Sequence, residues 1–147
     1  MDKNVVEFLV RAKKATFAGG GTRIEPSRPN SKDLLYVEGV LKYIDTYLGG
    51  ANFSGQEALW ENDVPLWSMN YAGRLLSENS LIFKFLTDAL LLVPEEYPYR
   101  GPLCYTDGDY CYKCAVSGDF HWFSGTEEIL YKDKKVYELM FCGGDVR

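Results

Sequence analysis

The chain has a single histidine, His121, and too few basic residues to balance its acids: 16 Lys and Arg against 21 Asp and Glu leave a net charge of -5. A phosphate backbone is bound chiefly through Lys and Arg, so direct nucleic-acid binding is not expected. The one tight basic cluster, Arg11, Lys13 and Lys14, reads as the wet face of a helix. No apolar run approaches the roughly 20 residues of a membrane span, and no N-terminal stretch has the charged, apolar, small-residue order of a signal peptide. No membrane association is expected, and the expected location is cytoplasmic. The four cysteines, Cys104, Cys111, Cys114 and Cys142, are then expected to be reduced thiols. Cys111 and Cys114 have C-x-x-C spacing, yet residues three apart on a strand point to opposite faces, so no metal is expected. The run Gly19-Gly20-Gly21 lacks the GK[ST] ending of a phosphate loop; it reads as a flexible connection that continues past Pro26 and Pro29. No internal repeat or low-complexity tract is evident, and no motif asks for a cofactor.

Aromatic residues, by contrast, are abundant, at 15% of the chain with eleven tyrosines, an excess that favours sheet. A length of 147 residues suits one domain spanning 1–147. From Asn4 to Ala15 the residues Val5, Phe8, Leu9 and Ala12 recur at helical spacing, with Asp2 or Asn4 as the N-cap. Strands are predicted at Leu34–Glu38, Val40–Leu48, about Gly55–Trp60 and Leu66–Tyr71. The stretch Leu81–Val93 is apolar almost all round and reads as a buried helix stopped by Pro94. A meander follows over Leu103–Thr106, Tyr110–Val116, Asp119–Phe123, Glu127–Tyr131 and Val136–Phe141, with tight turns at Asp107-Gly108 and Ser117-Gly118. Runs of strands with few, unalternating helices indicate an α+β fold: a curved, largely antiparallel sheet of about seven strands gripping the one buried helix in its concave face, with the N-terminal amphipathic helix at an edge or end.

The stretch from Leu35 to Leu76 is the place to look for a site. At period two, Tyr43, Asp45 and Tyr47 share a strand face, as do Glu57, Leu59 and Glu61, and then Trp67, Met69 and Tyr71. A carboxylate set among rings is either a general acid or base with a raised pKa or a structural acceptor of tyrosine hydrogen bonds. Rings with polar tips also suit a pocket for a small organic or cationic ligand. The candidate ligand-binding residues are Tyr43, Asp45, Tyr47, Glu57, Trp60, Trp67, Tyr71 and Trp122. His121 could pair with Cys111, Cys114, Ser124 or Ser68, but none of these sits in a nucleophile motif.

The runs IDTYLGG-x-x-FSGQEALW (Ile44 to Trp60), PLWSMNYAG (Pro65 to Gly73), LLLVPEEYPYRGP (Leu90 to Pro102) and FSGTEEI (Phe123 to Ile129) resemble the bacterial domain of unknown function 5680 along nearly the whole chain. The resemblance implies a domain that occurs alone or behind an Xre-type helix-turn-helix; it brings no activity. With no helix-turn-helix ahead of Asn4, it does not imply direct DNA binding. Taken together, the residues favour a non-enzymatic domain that senses a small molecule or mediates an interaction, with Asp45 or Glu57 as polar anchor. A small hydrolase or transferase with Glu57 or Asp45 as general base stands second, and a homodimer built through exposed edge strands third.

Overall fold

A computed structural model describes residues 3–17 and 21–147. The expected roles of Asp2 as an N-cap and of Gly19 and Gly20 in a loop fall outside them. Helix α1 (Lys3–Ala15) is followed by strands β1 (Thr22–Ile24), β2 (Lys32–Glu38), β3 (Leu41–Gly49), β4 (Asn52–Glu61) and β5 (Val64–Leu75). Helix α2 (Leu81–Leu90) leads to β6 (Cys104–Asp107), β7 (Tyr110–Asp119), β8 (Trp122–Tyr131) and β9 (Lys134–Asp145). The nine strands form one antiparallel sheet in the order β1-β2-β3-β4-β5-β9-β8-β7-β6.

The fold class is α+β as expected, but the sheet has nine strands rather than about seven, and its strands run further. β4 and β5 continue through Gly55 and Gly73, and β8 is one strand where two were expected. The turn before β8 lies at Phe120-His121, not Ser117-Gly118, because Asp119 Oδ1 accepts from the His121 and Trp122 amides. The helices differ as well. Both contribute to the core, with Phe8, Leu9 and Ala12 as buried as Ile82, Phe85 and Ala89, and they pack on the sheet at separate places, α1 against β2 and β3 and α2 against β7. Lys13 is not on a wet face: it is fully buried.

About the β5–β9 seam, β2–β5 on one side mirror β6–β9 on the other, each run of four preceded by a helix, with β1 as an extra edge strand, so the fold reads as a repeat of one helix and four strands. The sequence, in which no repeat is evident at first reading, carries short echoes of it. Phe53-Ser54-Gly55-Gln56-Glu57 on β4 recurs as Phe123-Ser124-Gly125-Thr126-Glu127 on β8, and Phe8-Leu9 and Ala12 of α1 as Phe85-Leu86 and Ala89 of α2. Register shifts fall at Leu59/Trp60 in one half and Ile129/Leu130 in the other. The hairpins that follow both turn through two residues of positive φ, Asn62 (51°) and Asp63 (63°), then Lys132 (48°) and Asp133 (65°), the type I′ geometry that matches strand twist. In each half a ring lies over a glycine: a Cβ on Gly55 would stand 2.5 Å from the Tyr71 hydroxyl, and one on Gly125 would meet the Phe141 ring. Few positions keep their identity between the halves, so the repeat shows in topology before it shows in sequence.

Candidate functional site

Each half buries one glutamate against a tyrosine and a cation. In the first, Tyr43 of β3 donates to Glu57 Oε1, and Lys13 Nζ lies 2.7 Å from Glu57 Oε2 and 2.7 Å from the Tyr99 carbonyl. In the second, Tyr112 of β7 donates to Glu127 Oε2 at 2.5 Å, Tyr137 of β9 donates to Oε1 at 2.7 Å, and Arg100 Nη2 reaches Oε1 at 2.6 Å. Tyr112 also accepts from the Gly101 amide at 2.9 Å. Burial pulls the Lys13 ammonium below its usual pKa, opposed by Glu57. Burial works against Arg100 too and is the largest single influence, but Glu127, Tyr137 and Tyr112 together outweigh it and leave the guanidinium raised. Desolvation pushes Tyr43, Tyr112 and Tyr137 upward, with Glu57 or Glu127 adding to it, so all three stay protonated donors. These are buried ion pairs whose carboxylates are fully hydrogen-bonded, although Arg100 Nε is buried without a partner; their presence in both halves marks them as part of the scaffold.

The halves part company next to them. Asp45, cross-strand from Glu57, is buried and accepts from Tyr71 at 2.7 Å. Cys114 stands cross-strand from Glu127 in the same way, and Phe141, which has no hydroxyl, takes the place of Tyr71. Burial raises the Asp45 carboxyl, and the charge of Glu57 raises it further. The Tyr71 hydrogen bond, Lys13 and Arg100 pull it back, leaving it at about 7. The ring pairs Phe53–Tyr71 and Phe123–Phe141 have nearly the same separation, 6.1 and 6.2 Å between centroids. In the second half Tyr99 fills the adjoining space, 4.2 Å from Phe123. In the first, a cavity of about 340 Å³ lies open beside Phe53, Tyr71, Asp45 and Tyr47, walled by Phe83, Leu86 and Leu90 of α2, with Lys32 and Arg100 on its lining.

Of the residues expected at the site, Asp45, Tyr47 and Tyr71 line this cavity, and Tyr43 and Glu57 stand behind it in the ion-pair network. Trp67 is plain core: fully buried, it stacks on Phe120 at 5.0 Å and donates from Nε1 to the Phe120 carbonyl. Trp60 is half-buried at the β4 register shift. Trp122, 81% exposed, lies on the face without helices. His121 is exposed and meets Asp145 at 2.7 Å. Cys114 is buried, while Cys111 on the same strand is half-buried.

Sequence reasoning missed Lys13 and Arg100. Lys13 falls four residues after Leu9 and so on the apolar stripe, a signal that was there to be read. Arg100 sits in an irregular turn whose place no periodicity reports.

The matching family model is a domain of unknown function (DUF5680), covering residues 45–146. The chain belongs to this family. The match takes in β4 to β9 and Asp45 but not α1, so the DUF5680 region contains Glu57, Glu127 and Arg100 while Lys13 lies ahead of it. The resemblance along nearly the whole chain is to that extent narrowed. No curated protein and no solved structure matches the chain.

A larger depression of about 900 Å³ runs along the helix-free face of this DUF5680 sheet, over Ser54, Gln56, Asn70, Ser124, Thr126 and Cys142, and among the described residues Arg28 is its one charged lining residue. The ionisable network and the aromatic wall lie on the other face. Among the described residues no group of three or more His, Cys, Asp or Glu is placed to hold a metal, and no helix is long and apolar enough to cross a membrane.

Proposed function

We propose that the chain is a non-catalytic, small-ligand-sensing domain whose pocket is the cavity beside Asp45, acting in a bacterial cytoplasm as part of a regulatory system. The observation that carries this reading is the broken duplication. A position that merely holds the fold together has the same demands in both halves, and these are met by Tyr43 with Glu57 and by Tyr112 with Glu127. Asp45 and Tyr71 have no such counterparts, and the hollow beside them is filled by Tyr99 in the other half. A buried carboxylate with one hydrogen bond beside an open cavity is costly to keep, and ligand binding is the return for that cost.

The test is a thermal-shift screen of a metabolite library against the full chain and against Phe83→Trp, which enlarges a partly exposed wall residue into the cavity. A ligand of the folded state raises apparent stability by mass action. Compounds that stabilise the wild type and not Phe83→Trp support the pocket; compounds that stabilise both equally place binding elsewhere.

Catalysis by Asp45 is the second reading, favoured by a carboxyl near 7, where a general base is most effective. Glu57 is fully engaged with Lys13 and Tyr43, and His121 is committed to Asp145 away from the cavity, so Asp45 would act alone. Turnover of a bound hit, lost in Asp45→Asn, would move the chain into that class.

A further inference from the structure

Of the three buried acids around the cavity, two are in ion pairs and Asp45 is not. Lys13 is taken by Glu57, and Arg100 pairs through Nη2 with Glu127 while its Nε has no partner; each pair lies within 2.7 Å and is nearly inaccessible to water. Asp45 is the third acid of this cluster, and its one hydrogen bond comes from a neutral hydroxyl. When ionised it therefore carries a buried charge that no cation among the described residues neutralises by contact. Facing it are Glu57 from β4, Tyr71 from β5, Lys13 from α1 and Arg100 from the segment after α2, with Tyr43 and Tyr47 on its own strand and Lys32 of β2 at the cavity lining.

The walls are those that a cation prefers. The Lys32 ammonium already stands 5.4 Å from the Tyr47 ring centroid, and the Arg100 guanidinium 5.5 Å from that of Tyr71; ring faces attract cations at such distances. Beyond the polar end, Phe53, Phe83, Leu86 and Leu90 offer only hydrocarbon.

We infer that the cavity takes an organic ammonium ion with an apolar body, its charged head against Asp45 and the tyrosine faces and its body between Phe53 and the α2 side chains. This rests on the pocket reading above. Lys32, half-buried on β2, keeps its head toward water on a flexible stem and yields the Tyr47 face to the ligand. The cation binds the carboxylate and not the carboxylic acid, so entry of the ligand releases a proton from Asp45.

Three probes with one ring and different heads separate the outcomes: phenethylammonium, 2-phenylethanol and 3-phenylpropionate, titrated into the full chain by calorimetry from pH 5 to 8. Phenethylammonium is expected to bind at least about tenfold more tightly than the alcohol at pH 8, a difference of about 1.4 kcal/mol. Its affinity is expected to weaken by up to about tenfold per pH unit below the Asp45 midpoint, with proton release, and Asp45→Asn is expected to abolish the preference. The pH series on the wild type stands even where the variant folds poorly. Equal binding of ammonium and alcohol, or tighter binding of the propionate, overturns the ammonium head and leaves the pocket standing. Failure of all three to bind overturns the ammonium ligand class, while the pocket itself stands or falls on the screen against Phe83→Trp.

Discussion

At the scale of single residues, the neighbours Asp45 and Lys13 have opposite relations to stability. A folded-state pKa near 7 lies above the usual carboxylate value of about 4, so the folded chain holds this proton more tightly than the unfolded one. The stability that Asp45 contributes is complete below about pH 4 and is lost as pH rises through about 7, at about 1.4 kcal/mol for each pH unit between the two values. Asp45→Asn retains an acceptor for Tyr71 and removes the charge. It is expected to melt higher than the wild type at pH 8, close to it at pH 4, and with a flatter profile between. A variant that melts lower at pH 8 would show that the carboxylate stabilises the fold. Lys13 is the reverse case. Lys13→Met leaves Glu57 buried and unpaired, which costs about 3–5 kcal/mol, and adding Glu57→Gln is expected to restore much of the loss in a double-mutant cycle read by denaturant unfolding.

At the scale of elements, the two halves serve as controls for one another. The β4–β5 hairpin turns through Asn62 and Asp63, and the β8–β9 hairpin makes the same turn through Lys132 and Asp133. Asn tolerates the left-handed region better than Lys does. Lys132→Asn is therefore expected to stabilise the chain by up to about 1 kcal/mol, measured as a rise in melting temperature, with no gain if the Lys132 contact to the Tyr131 ring is worth as much as the relieved turn. Gly55→Ala is expected to destabilise by about 1–3 kcal/mol because the new methyl meets the Thr46 carbonyl as well as the Tyr71 hydroxyl. Period two was enough to place Tyr43, Asp45 and Tyr47 on one face and Trp67, Met69 and Tyr71 on another stretch of it, because strand sidedness is strictly local. The same rule could not tell the cavity-lining Tyr71 from the core Trp67, two members of one stripe whose difference lies in what packs on them from other elements. Nor could it place Arg100, which reaches Glu127 from a segment with no period at all.

For the whole molecule, the seam between the halves decides whether the duplication is two units or one. β5 and β9 pair along their length, from Trp67 opposite Asp145 to Leu75 opposite Tyr137. Polar contacts cross as well: Lys13 of the first half bonds the Tyr99 carbonyl of the second, and Trp67 bonds the Phe120 carbonyl. Rings interleave too, with Phe53 stacked 6.3 Å from Tyr137 and tilted 6.4 Å from Phe83. A half chain would expose β5 or β9 as a long unpaired edge and leave Lys13 or Trp67 with a buried polar atom unsatisfied, at a cost of about 1–3 kcal/mol for a neutral group and more for a charge. Stability of a domain this size is only about 5–15 kcal/mol in total. Neither half is therefore expected to fold alone. The chain cut between β5 and α2, in the partly exposed segment 76–80, should give two fragments that lack sheet signal in circular dichroism separately and regain it when mixed, with one cooperative transition. Independent melting of either fragment would show that each half holds its own core, and the cavity at the boundary between Phe53 and α2 would then have to be explained without the seam.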